Sequence, residues 1–130
     1  MDGLALALFA ARSADDKKGE DVVIYDLRGL SDVADYFVVA TAQSRMQARA
    51  IVGAIEKGLK DQGVFKFGQD GSSVTNQWIL LDYADCVIHV FSQPMREFYS
   101  LESLWGDAPK VEWRAANSEP SALYTTPAPA

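Results

Sequence analysis

Two stretches of this chain are apolar on both sides that an extended strand presents. Tyr36, Val38 and Ala40 alternate with Phe37 and Val39, and Trp78 and Leu80 alternate with Ile79 and Leu81. Successive side chains of a strand point to opposite faces of its sheet, so a strand without a polar side has to be covered on both. A sheet with one wet face is excluded. The chain must supply helices for two layers, or leave part of one layer to another molecule.

Helices are few. Asp2 caps a first helix whose Leu4, Ala5, Ala7, Leu8 and Ala11 share a face, and DDKKGED ends it, with Gly19 as the stop. From Ser44 to Gln62 the apolar residues Ala48, Ile51, Val52, Ile55 and Leu59 recur at helical spacing. Arg49, Glu56, Lys57 and Lys60 take the other side, Ser44 is the N-cap, and Gly63 follows as a stop. Pro94 suits the first turn of a last helix, MREFYSLESLW, with Phe98, Leu101, Leu104 and Trp105 on one side. Strands are predicted over 21–28, 35–41, 64–68, 77–82 and 85–92. The order α-β-β-α-β-β-β-α lacks the strict alternation of a doubly wound fold, and predicts a single-domain α/β architecture, a mixed β-sheet with flanking helices. Residues 1–106 form that domain. Residues 107–130, rich in Ala, Pro, Ser and Thr, read as a partly disordered tail in which only Val111, Trp113, Leu123 and Tyr124 could anchor.

The 130 residues suffice for one core without staples. A single cysteine excludes an internal disulfide and any cysteine-based zinc site. The N-terminal run MDGLALALFAAR is short and has no basic flank, so a cytoplasmic protein is expected, with no membrane contact. The net charge of −6 opposes binding to phosphate backbones, and no direct DNA contact is expected. The same charge favours a basic protein as partner.

The segment NQWILLDYADCVIHVF, residues 76–91, concentrates residue types that do chemistry. Cys86 and His89 lie three apart on one strand and therefore face opposite sides. That spacing excludes a dyad between them. His89 reads as a hydrogen-bonded core residue and Cys86 as a small buried hydrophobe. Asp26, Asp35, Asp82 and Asp85 stand at strand ends, where carboxylates cap turns, and no Asp-x-Asp pair aims two of them at a metal. Walker, GxGxxG, GxSxG and HExxH patterns are missing. No catalytic residue, metal or cofactor is assigned. What remains is apolar surface, with Trp78 at the start of its strand as an interface anchor.

Four blocks then carry a family resemblance. DLRGLS at 26–31, ADYFVVATAQSRMQARAI at 34–51, WILLDYADCVIHVF at 78–91 and REFYSLESLW at 96–105 resemble the ribosomal silencing factors, the Iojap-like proteins. The match runs in order from residue 4 to residue 108. The resemblance implies a nucleotidyltransferase-like fold without the catalytic apparatus. It also implies a translational repressor that binds the large ribosomal subunit through its fourteenth protein. Occupying that surface keeps the small subunit from joining when nutrients are scarce.

Carried over by position, Trp78, Leu80, Asp82 and Tyr83 form the partner-binding surface. Trp78 anchors, Leu80 extends the apolar patch, and Asp82 pairs with a basic side chain at the rim. His89, Phe91, Arg96, Tyr99, Glu102 and Trp105 match the family pattern too, and read as ties between the hairpin and the last helix. Two positions depart from it. Ala84 stands where the family usually has glycine, and costs on the order of 1 kcal/mol if that turn needs positive φ. Ala42-Gln43 replaces the Gly and Thr or Ser that often precede the second helix. The competing readings are a diverged nucleotidyltransferase-like enzyme with Asp26 and Asp35 as metal ligands, and a homodimeric structural protein that buries its exposed face.

Overall fold

The computed structural model describes residues 1–70, 77–99, 105 and 107–114. Its elements run α1 (Gly3–Asp16), β1 (Glu20–Asp26), β2 (Tyr36–Ala42), α2 (Arg45–Asp61), β3 (Gly68–Asp70), β4 (Trp78–Asp82), β5 (Cys86–Ser92) and α3 (Gln93–Tyr99). The strands form one mixed sheet in the order β1-β2-β5-β4-β3. β2 and β5 are parallel at its centre, and the other neighbours are antiparallel. No helix of the described residues is long and apolar enough to cross a membrane.

The helix ends follow local chemistry. Asp2 accepts the Ala5 N–H at 2.7 Å and Ser44 accepts the Gln47 N–H at 3.0 Å, each satisfying a donor that a helix leaves open. The Gln47 side-chain oxygen reaches back to accept the backbone N–H of Gln43, so at the position where the family often has Thr or Ser the main chain is tied to the first turn of α2 by the side chain of Gln47. The stop of α1 differs from expectation. Lys18, at φ 67°, is the left-handed residue, and Gly19 follows it with its N–H on the Ala14 carbonyl at 2.8 Å. A Cβ on Gly19 would stand 2.9 Å from that carbonyl oxygen, so glycine is there for close approach. Gly63, at φ 79°, ends α2 as expected. The strand predicted at 64–68 is displaced to Gly68–Asp70, where backbone pairing with β4 begins.

The helices divide between the faces. Leu6, Ala7, Ala10 and Ala14 of α1 and Ala48, Ile51, Ile55 and Leu59 of α2 bury one face of the sheet, made of Ile24, Val38, Ala40, Ile79, Leu81, Ile88 and Val90. α1 crosses α2 closely at Gly58, where a Cβ would come within 2.1 Å of the Phe9 ring. The other face carries Tyr25, Leu27, Phe37, Val39, Val87 and Phe91, with Met95 of α3, Trp105 and Ala108 packed on it.

Packing does not stop at residue 106. The Asp26 N–H donates to the Pro109 carbonyl at 2.8 Å, the Val111 N–H to Ile24 at 3.0 Å, and the Trp113 indole to Val22 at 2.9 Å. Val111 and Trp113 are buried. This segment shields β1, an edge strand whose free backbone groups would otherwise invite pairing with another chain. Val111 and Trp113 thus anchor residues 107–114 to the body. Leu101, Glu102, Leu104, Leu123, Tyr124 and the rest of the expected tail lie outside the described residues.

Candidate partner-binding surface

The register of the hairpin decides which of the singled-out residues share a side. Trp78 pairs with Phe91, Leu80 with His89 and Asp82 with Val87, and through β5 these rows continue to Thr41, Val39 and Phe37 of β2. Paired residues lie on one face, so Trp78, Leu80 and Asp82 belong to the face that carries α3. All three are half-buried, whereas Ile79 and Leu81 between them are buried under the long helices. The second layer is centred on β1, β2 and β5, with the Trp105 ring edge-on to Phe37 at 6.1 Å. Among the described residues, Trp78 and Leu80 of β4 pack at the partly buried margin of this layer.

Tyr83 is not brought together with the other three. It lies one residue past Asp82, packs in the core under α1 and α2, and is 6% exposed. Its burial, with the Glu56 carboxylate second, raises its phenol to about 12. The turn that follows is tight. Ala84 has φ 69°, the left-handed conformation in which its Cβ is strained, and its N–H donates to the Asp82 carboxylate at 2.8 Å. Asp82 therefore shapes the hairpin as well as standing at the rim of the row.

The residues under the row form an aromatic cage. Trp78 stacks on Phe91 with ring centres 5.3 Å apart, and Phe37 meets the His89 ring edge-on at 4.7 Å. The Trp78 indole N–H donates to His89 Nδ1 at 3.1 Å. Burial lowers the histidine from its ordinary 6.5 to about 4, so it is neutral at physiological pH. Cys86 lies in the opposite core, where burial and, less strongly, Asp85 push its thiol upward. The two faces expected from their odd spacing are the faces observed, and His89 is hydrogen-bonded as expected. Sequence reasoning missed the indole–imidazole bond. The two residues are diagonal across the β4–β5 ladder, a relation that no pattern shows until the register is known.

Arg96 is a tie of a different kind from the one expected. Its guanidinium donates to the Asp21 carbonyl at 2.6 Å and the Thr41 hydroxyl at 2.8 Å. It therefore fastens α3 to β2 and to the irregular start of β1, where the register shifts between Glu20 and Val23.

The carboxylates of the enzyme reading point apart. Asp26 lies opposite Tyr36, while Leu27 donates its N–H to the Asp35 carbonyl, so Asp26 and Asp35 leave the ladder on opposite sides. Both oxygens of Asp26 are held by Arg28, at 3.0 and 2.8 Å. Among the described residues no group of three His, Cys, Asp or Glu side chains is placed to hold a metal ion.

Comparison with known proteins addresses the family. The RsfS model, described as ribosomal silencing factor during starvation, matches residues 2–128. The ribosomal silencing factor RsfS of Halalkalibacterium halodurans is 38% identical over 112 residues, covering 86% of this chain and 95% of that protein. The RsfS of Bacillus subtilis is likewise 38% identical over 112 residues, covering 86% and 94%. A crystal structure of a Chromobacterium violaceum protein superposes with a TM-score of 0.76 at 31% identity, covering 82% of this chain and 88% of that one. With a mixed sheet, flanking helices and a family match over nearly its whole length, the chain belongs to the ribosomal silencing factors.

Proposed function

We propose that this protein is a cytoplasmic translational repressor without enzymatic activity. It binds the large ribosomal subunit through the fourteenth protein of that subunit and keeps the small subunit from joining. The contact surface is the row Trp78, Leu80 and Asp82, with Tyr83 behind it as the buried end of the same hairpin. The observation that carries this reading is the unequal burial along β4: Ile79 and Leu81 are 3% and 0% exposed, while Trp78 and Leu80, on the opposite face, are only half-buried. A half-buried tryptophan is the kind of residue that anchors an interface centre, and the acidic balance of the chain suits a basic ribosomal protein. Blocking by occupancy needs no bond chemistry.

Sedimentation with isolated large subunits, small subunits and whole ribosomes tests this, run beside Trp78→Glu. Co-sedimentation with large subunits alone, lost in the variant and accompanied by blocked subunit joining, is the expected result. Binding retained by Trp78→Glu moves the contact elsewhere on the molecule. Failure to bind any particle overturns the reading, and a concentration-independent homodimer that buries Trp78 would take its place.

A further inference from the structure

We infer that His89 is a positioning residue for Trp78: by accepting the indole N–H it holds the ring in the one orientation that a partner meets. This rests on the proposed role of Trp78 in docking. An indole N–H only donates, so the contact at 3.1 Å requires His89 Nδ1 to be the lone-pair nitrogen and puts the imidazole proton on Nε2. Among the described residues buried Nε2 finds no hydrogen-bond partner, and the bond from Trp78 is the one hydrogen bond the ring makes. A buried N–H without an acceptor destabilises the fold. An apolar side chain would fill the same space without that cost, so the polar gain from a histidine here is confined to the tryptophan.

The surroundings make the imidazole a fixed acceptor. Phe37 of β2 packs against its ring, Phe91 lies parallel to it at 5.9 Å, and the residue is 4% exposed. Trp78, by contrast, is half-buried and lies at the start of β4. A ring that is only partly buried loses orientational freedom when a partner closes over it. Holding it beforehand reduces that loss on binding. The residues that face His89 across the sheet, Val39 of β2 and Leu80 of β4, are uncharged, as are its face neighbours Phe37, Val87, Phe91 and Trp78. None of them competes for the bond by supplying a charge.

The test uses the full chain with His89→Leu, His89→Phe and His89→Gln. Hydrogen exchange of the Trp78 indole N–H is read by NMR, with the signal assigned by its loss in Trp78→Phe. Affinity for isolated large subunits is measured in parallel. His89→Leu is expected to speed indole exchange and weaken binding, each about tenfold, the size of one lost hydrogen bond. His89→Gln, whose amide oxygen accepts, restores most of both. His89→Phe keeps a ring in the cage without an acceptor, and gives the same reading where the leucine variant fails to fold. Unchanged indole exchange in folded His89→Leu or His89→Phe overturns the proposal, as does faster exchange with undiminished binding. If the wild-type chain binds no large subunit, the docking reading fails by itself, and indole exchange still decides whether His89 holds Trp78.

Discussion

On β4, Ile79 and Leu81 lie under α1 and α2 at 3% and 0% exposure, while Trp78 and Leu80, one position away along the strand, keep part of their surface in solvent. The four are comparably apolar, so side-chain chemistry does not produce the difference. Coverage does. One face lies under helices of 14 and 17 residues; on the other, the described residues that pack are Met95 of α3, Trp105 and Ala108. The sealed face holds apolar side chains and a thiol that burial keeps protonated. The other face holds a histidine–tryptophan hydrogen bond instead, a polar contact that fixes direction where the tryptophan is only half-buried.

The contrast is open to direct attack. The largest expected effect is on the sealed side: Leu81→Ala should lower unfolding stability by about 3 kcal/mol, the usual range for a fully buried leucine, with Leu80→Ala costing roughly 1 kcal/mol or less. Urea midpoints at unchanged slope measure both. Equal losses would mean that the two faces are equally closed in solution.

The next effect belongs to the other face. His89 is lowered to about 4 in the fold against 6.5 when free, so above pH 6.5 both states are neutral and its contribution is complete. As pH falls below 6.5 the unfolded chain takes up a proton that the folded chain refuses. Stability is therefore lost progressively down to about pH 4, by a total of about 3 kcal/mol. Denaturant titrations from pH 7 to 4, compared with His89→Gln, isolate this part. A pH slope identical in the two proteins would remove His89 from the buried set.

The smallest effect is at the turn between β4 and β5, which both faces share. Ala84→Gly relieves a left-handed alanine and should raise stability by up to about 1 kcal/mol. Large-subunit affinity should be unchanged, because the turn sets the hairpin and not the row. A loss of stability would show that Asp82 and the Tyr83–Cys86 backbone bond already hold the turn without strain.

Much of this was legible from residue order. The caps Asp2 and Ser44, the stop at Gly63 and the opposed faces of Cys86 and His89 follow from periodicity or from neighbours a few residues away, and the left-handed turn at Ala84 is what the family resemblance implies. The strand near residue 64 was misplaced because its position is set by β4, a partner that local composition does not encode. The family resemblance groups Tyr83 with Trp78, Leu80 and Asp82. One step along the chain past Asp82 instead takes it into the opposite core.

Residue order alone therefore determined the two long helices, their N-caps and the two-sided apolar strands, because these depend on backbone geometry repeated every two or about four residues. Tertiary structure alone decided that β2 and β5 lie parallel, that Trp113 closes over β1 from 91 residues away, and that His89 receives the Trp78 indole. Those contacts exist only once strands have chosen partners. That choice depends on how well distant faces cover one another, a property of the whole chain that no short segment contains.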